Sequence, residues 1–315
     1  MSKMTLGFFT DTHARISTPC GRTDDYRQAL LSKLEEIGGI WKENGVDLVA
    51  FGGDLFHTPD PPNSIMFEVM QRLKAWKLPI VGIIGSHDYF GFQLATLERT
   101  AVGLFHGAGV LELIGDGLPN TSYQCENCVL TATPHTFWLA DDPYNFYIER
   151  VAEENQLQVQ LVHGDLINHP VLWKHVTVEQ MKTESDLVLS GHYHPGWEKP
   201  IKIGNTTFVN PGSIGRLENG KQRTPRVCIV DISDRQTWEL KYVPLENAQP
   251  HPFFEKESAH EENTMQDLTK LFSIINETAV DQVDLKSQIP AVAKELHMSD
   301  IVVEKAFSLI ESAST

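Results

Sequence analysis

Long apolar runs are missing from this sequence, and several functions are excluded with them. No window approaches the ~18 uninterrupted apolar residues of a membrane span, and the opening MSKMTLGFF lacks the apolar core and small-residue cleavage site of a secretory leader. A cytoplasmic protein with no membrane association is expected. Cysteine is scarce. Cys20, Cys125, Cys128 and Cys228 are too few and too scattered for a disulfide framework, so reduced thiols are expected. The local pair Cys125-x-x-Cys128 has only His135 nearby as a further zinc donor, and a solvated hairpin turn is the expected reading. Positive charge is also in deficit: 26 Lys and Arg stand against 42 Asp and Glu, a formal net charge of −16. That balance argues against broad, sequence-independent binding to nucleic acid, which rests on neutralising phosphates. It leaves room for an enzyme whose bound cations supply positive charge locally.

What is present reads as one sizeable α/β domain followed by a small appendage. Thr5–Thr10, Val46–Gly52 and Ile80–Ile84 have the apolar character of buried strands. Between them, Tyr26, Leu30, Leu34, Ile37 and Trp41 recur at helical spacing, with Thr23 or Asp24 as N-cap, and Ile65, Val69, Leu73 and Trp76 mark a second helix. After about Leu104 shorter strands dominate: Val110–Leu113, Val129–Ala132, Val159–Val162, Leu187–Ser190, Thr207–Val209, Val227–Asp231 and Thr237–Val243. One amphipathic helix is expected from about Tyr144 to Asn155. The pattern predicts a mixed α/β (α+β) fold, a two-sheet sandwich flanked by helices, rather than a purely doubly wound sheet. A composition break at 244–262 sets the expected domain limits at 1–250 and 251–315. The second part carries twelve Asp and Glu against five Lys, with helical spacing of Leu268, Leu271, Phe272 and Ile275. It is expected to be a small helical unit folded back on the first part, with a docking segment for a partner protein or a disordered tail as the alternatives.

Histidines and acids gather at the ends of the expected strands, where α/β folds place their ligands. They are Asp11-Thr12-His13, Gly53-Asp54 and Gly85-Ser86-His87-Asp88, followed by His163 and by Gly191-His192-Tyr193-His194. Each is weak alone. Five in order point to a metal site, and imidazole with carboxylate and no thiolate suits manganese, iron or zinc.

This order of clusters resembles the calcineurin-like metallophosphoesterases over roughly residues 4 to 215. The run Gly52-Gly53-Asp54-Leu55-Phe56-His57 resembles the SbcD-type DNA-repair nuclease branch of that superfamily, whereas Asn210-Pro211-Gly212-Ser213 is similar to runs in its small phosphodiesterases too. The resemblance implies two divalent ions, most readily Mn2+, with Fe2+ and Zn2+ as alternatives. Asp11, His13, Asp54 and His194 would surround one; Asp54 would bridge to a second, completed by His163 and His192. His87 would protonate the leaving oxygen, Asp88 would orient or charge its ring, and His57 would help place the phosphate. Two departures stand out. Ser86 occupies the position where the family usually has an Asn ligand, predicting weaker occupancy of the second ion, and Arg15 stands where a Gly is common. Arg15 could reach substrate phosphate or form a surface ion pair. Among the remaining histidines His106, His135, His169 and His175, His135 is the best candidate for the substrate side.

The function expected is therefore a two-metal phosphodiesterase that cleaves DNA as exonuclease or endonuclease. By the same resemblance, an SbcC-type ATPase would dock on the C-terminal helices, and a homodimer is compatible with the pattern. Two rivals are a phosphodiesterase or phosphatase for small nucleotides or phosphoproteins, and a degenerate phosphoesterase kept as an interaction module.

Overall fold

The computed structural model describes residues 3–19, 21–169, 171, 173–217 and 224–248. In chain order its elements begin with β1 (Met4–Phe9), α1 (Tyr26–Glu43), β2 (Leu48–Phe51), α2 (Asn63–Ala75), β3 (Ile80–Gly82), α3 (Ala101–Gly107) and β4 (Glu112–Leu113). There follow β5 (Ser122–Gln124), β6 (Cys128–Thr133), β7 (Leu157–His163), β8 (Leu166–Ile167), β9 (Val176–Thr177), β10 (Leu187–Gly191), β11 (Ile201–Ile203), β12 (Thr206–Val209), β13 (Arg226–Ile232) and β14 (Trp238–Pro244).

Two six-stranded sheets result, ordered β14-β13-β1-β2-β3-β4 and β11-β12-β10-β7-β6-β5. Alternation along the strands explains their stacking. Leu6, Phe8, Leu48 and Ala50 of the first sheet meet Leu130, Val159, Leu161, Leu187 and Leu189 of the second in one buried cluster. Phe9, Val49 and Phe51 turn the other way, into a layer formed with Leu30, Leu34, Ile37, Trp41, Ile65 and Val69 of the helices. The helix layer lies close because Gly7 has no Cβ; one added there would stand 2.9 Å from the buried Trp41 ring. Truncating such an aromatic to alanine typically costs about 3–5 kcal/mol. A third cluster, including Val162, Val188, Trp197 and Phe208, covers the far side of the second sheet. The expected two-sheet sandwich with flanking helices is the observed fold.

Two local expectations are corrected. The N-cap of α1 is Asp25, whose Oδ1 accepts the Gln28 N–H at 3.1 Å, one residue beyond the predicted position. The helix predicted over 144–155 is absent: a 3-10 turn at Pro143–Phe146 is followed by irregular chain. Side chains take its backbone groups instead. Gln158 Oε1 accepts from Val151 N and Ala152 N, Glu184 accepts from Arg150 N, and Arg150 donates to the carbonyls of Glu153 and Gln156. Such side-chain bonds compete directly with a helical ladder. The Cys125 N–H donates to the Cys128 carbonyl at 2.9 Å, closing the hairpin between β5 and β6. The acidic segment expected to be helical from residue 251 lies outside the described residues, and among those described no helix is long and apolar enough to cross a membrane.

Candidate metal centre

Parallel pairing of β1, β2 and β3 brings three loops out at one edge of the first sheet, and parallel pairing of β7 with β10 sets His163 opposite Gly191 in the second. The loops are stitched together before any ligand is considered. Asp11 N donates to Gly53 O, His13 N to Asp54 O and Ala14 N to Leu55 O, each at 2.9–3.0 Å. To aim their side chains inward, Asp11, His13, Asp54 and His192 adopt φ of 52, 45, 58 and 72°, in the left-handed region that non-glycine residues seldom occupy. Each such residue stores about 1–3 kcal/mol of local strain, a cost that clusters at functional sites. Gly85 must lack a side chain for a related reason: a Cβ there would collide with Asp54 Oδ1 and N.

Two groups of donors emerge. In the first, His13 Nε2 faces His194 Nε2 at 2.9 Å, and Asp11 Oδ1 lies 3.8 and 3.6 Å from these nitrogens. In the second, His192 Nδ1 faces His163 Nε2 at 3.3 Å, and Asp54 Oδ2 lies 3.2 Å from His163 Nε2. The same Asp54 oxygen is 3.6 Å from His13 Nε2, so it stands between the groups. Donors ~2.1 Å from one ion and 90–110° apart sit ~3.0–3.4 Å from each other, close to these spacings. Asp11-His13-His194 and Asp54-His163-His192 could therefore each hold a cation.

Neighbouring bonds fix which nitrogen looks inward. His163 Nδ1 meets the Gly52 carbonyl at 2.7 Å, which places a proton there and turns Nε2 toward Asp54 Oδ2. Asp11 accepts Thr10 Oγ1 at 2.7 Å and the His192 N–H at 3.0 Å through Oδ2. Burial pushes the Asp11 carboxyl up, but the His13, His163 and His194 rings outweigh it and hold its pKa at about 2. Burial likewise opposes ionisation of Asp54, yet His163, His13 and His87 keep it well below the usual carboxylate range. Burial disfavours the cation at His163, but Asp54 and Asp11 raise its pKa to about 10, whereas His194 is pushed down to about 4, chiefly by burial.

His87 adjoins the first group. Its ring lies 4.8 Å from that of His13 and stacks at 5.2 Å on His57, while its Nδ1 meets the His57 carbonyl at 2.7 Å. Burial lowers the pKa of both rings, that of His57 to about 4. His57 Nδ1 is buried without a hydrogen-bond partner in the structure. Ser86 Oγ donates to Asp54 Oδ2 at 3.1 Å.

Asp88 corrects the expectation that it serves the His87 ring. Its carboxylate accepts Gly85 N and Asp54 N at 2.8 Å and Leu55 N at 3.1 Å, so it ties the β2 and β3 loops together. Arg15 forms neither an ion pair nor another salt bridge among the described contacts; its guanidinium donates to Ser17 Oγ. His106, His169 and His175 are engaged with Leu113 N, Asn168 and the Trp173 carbonyl respectively.

Two residues gain weight only in three dimensions. The His135 ring is 5.4 Å from that of His192 and 6.2 Å from that of His163, and burial with those two neighbours lowers its pKa to about 3. Asp165, which sequence reasoning passed over, has Oδ2 3.5 Å from His192 Nε2 and accepts the Trp173 indole N–H through Oδ1 at 2.8 Å. A carboxylate on the far nitrogen of an imidazole fixes its tautomer. The signal was an acid two positions after a strand-end histidine, in His163-Gly164-Asp165.

This fold and these converging donors are those of a metallophosphoesterase. The chain belongs to the calcineurin-like phosphoesterase superfamily, whose domain profile matches residues 4–235, and it thereby falls among hydrolases of phosphoester bonds. Among relatives, it is 25% identical over 212 residues to the DNA double-strand break repair protein Mre11 of Methanosarcina mazei, covering 66% of this chain and 33% of that protein. The protein of the same name from Sulfurisphaera tokodaii is 22% identical over 200 residues, covering 62% of this chain and 50% of that one. The chain thus spans a third to a half of the length of these relatives. The calcineurin-like phosphoesterase YfkN from Bacillus subtilis shares the fold, with a TM-score of 0.50 at 13% identity over 85% of this chain and 98% of that one.

Proposed function

We propose that the chain is a two-cation phosphodiesterase that cleaves DNA, with manganese as its preferred ion. The observation that carries this reading is the position of Asp54 Oδ2, 3.6 Å from His13 Nε2 and 3.2 Å from His163 Nε2. One carboxylate shared between two donor groups suits a pair of ions held ~3.5–4 Å apart, as in-line displacement at phosphorus requires. In this reading Asp11, His13 and His194 hold the first ion, His163 and His192 the second, and Asp54 both. Imidazole and carboxylate donors with no thiolate suit a borderline divalent cation such as Mn2+. When bound, such a pair supplies Lewis-acid charge to the phosphoryl oxygens and lowers the pKa of water.

The chain's own groups do the rest. His87, with Nδ1 committed to the His57 carbonyl, has Nε2 left to pass a proton to the leaving oxygen, which it does as the imidazolium, the form that burial disfavours. His57, stacked beside it, flanks the same approach and steers the phosphodiester. Asp88 keeps the Asp54 and Gly85 loops in register, so the bridging carboxylate keeps its aim. A DNA substrate is supported by the Gly-Asp-Leu-Phe-His form around His57 and by relatives named as DNA double-strand break repair proteins. With manganese, linear DNA and bis-p-nitrophenyl phosphate are expected to be cleaved far faster than p-nitrophenyl phosphate. Release from the monoester alone would end the nuclease reading.

A further inference from the structure

A run of aromatic rings leads from the candidate metal centre to solvent. His135 lies beside His192 at 5.4 Å, Phe92 beside His135 at 5.1 Å, Phe137 beside Phe92 at 5.8 Å, and Trp138 edge-on to Phe137 at 4.5 Å. Exposure grows along it, from 43% at Phe92 to 61% at Phe137 and 65% at Trp138. A second exposed ring, Trp173, reaches the same histidine by another route, through Asp165. Phe92 holds φ at 56°, an unfavourable backbone state for a bulky residue that turns no side chain into the core.

Large rings left in water beside a reaction centre mark a contact surface. The charge of the chain narrows what they contact. With a net −16, an extended track of phosphate-neutralising cations is poorly supported, so a strand would have to be held by another force. Stacking of bases on aromatic side chains supplies such a force: it is tolerant of sequence and contributes about 1–3 kcal/mol per base. It also selects the strand, because bases inside a duplex have their faces already covered and only unpaired ones can stack.

We propose that Phe92, Phe137 and Trp138 form a stacking platform for unpaired bases of a DNA strand whose phosphodiester enters the centre at His192. The inference rests on the nuclease reading and gives that site its substrate class: single-stranded DNA or frayed ends. Binding is tested with the full chain in EDTA at 200 mM salt, by fluorescence anisotropy of a labelled fifteen-residue thymidine strand, an abasic strand of equal length and a blunt duplex. The thymidine strand is expected to bind at least about tenfold tighter than the other two. Phe137→Ala and Trp138→Ala, checked as folded by thermal denaturation, are each expected to weaken it by roughly 5- to 150-fold and to leave the abasic strand unchanged.

Equal binding of thymidine and abasic strands, no binding of either, or unaltered binding by both variants overturns the platform. Variants that alter only the oligomeric state, seen by mass photometry, also overturn it and assign the rings to a protein contact. The two readings fail separately. A thymidine strand held through these rings but uncut with manganese leaves the platform and removes the nuclease, whereas cleavage unaffected by either variant does the reverse.

Discussion

The Ser86 hydroxyl donates to Asp54 Oδ2 across 3.1 Å, the same oxygen that approaches His163 Nε2 at 3.2 Å. A serine at this point therefore spends its one proton on the shared carboxylate, where an asparagine would extend an amide oxygen toward the second donor group. Ser86→Asn is expected to tighten the weaker of two manganese sites by roughly tenfold, within the range of effects of groups around a metal. Isothermal titration with manganese measures it. Indistinguishable second-site affinities in the two chains would show that Ser86 imposes no such weakness.

His87 is absent from the Asp11-His13-His194 and Asp54-His163-His192 groups, although with His57 and His13 it makes a third set of nitrogens close enough to hold an ion, and its loss is expected to leave the first two groups intact. His87→Asn is expected to lower kcat on bis-p-nitrophenyl phosphate by about 10²–10⁴-fold, the usual worth of a positioned proton donor. Metal content by mass spectrometry should stay at two ions per chain. A variant that loses an ion along with its activity would recast His87 as a ligand.

Asp88 is 1% exposed and accepts three backbone N–H groups from two loops. Asp88→Ala strands those donors, and one unsatisfied buried group alone costs about 1–3 kcal/mol. A loss of at least about 2 kcal/mol in urea denaturation is expected, together with lower manganese affinity because Asp54 is no longer aimed. Wild-type stability in this variant would contradict the stitching role.

Lys33 is buried at 3% exposure with its Nζ donating to the Ile214 carbonyl at 2.7 Å. Burial, with Arg22 and Arg216 adding to it, depresses its pKa from 10.5 to about 7. Between those two values the unfolded chain binds the extra proton, so this group makes stability rise with pH across that window. Lys33→Met removes the dependence. The variant's Tm relative to the parent is expected to be highest near pH 6.5 and to fall by several degrees toward pH 9.5. A difference that is flat or grows with pH would refute the assignment.

Sequence reading went furthest where chemistry and periodicity coincide. Asp11, Asp54 and His163 each sit at or just past a strand of apolar residues, so local pattern alone placed them at strand ends. The pairing of their loops, which sets Asp54 between two groups, is a property of strand order, and strand order is not written in spacing. His135 illustrates the gap. It follows β6, and it meets His163 and His192 because β7 pairs with both β6 and β10. The helix expected over 144–155 failed for another reason: Gln158, Glu184 and Arg150 capture backbone groups that periodicity assigns to a ladder. Asp88 was assigned to the His87 ring beside it in sequence, whereas its carboxylate accepts the N–H groups of Asp54, Leu55 and Gly85, partners that depend on how the two loops meet.

The left-handed backbone at Asp11, His13, Asp54 and His192 has a practical corollary. A selection scheme that rewards heat resistance alone should accumulate glycine at such positions, where relaxation is cheapest, and each gain would dismantle the cage. Directed evolution of this scaffold needs a simultaneous screen for turnover, or its hardiest descendants will be inert.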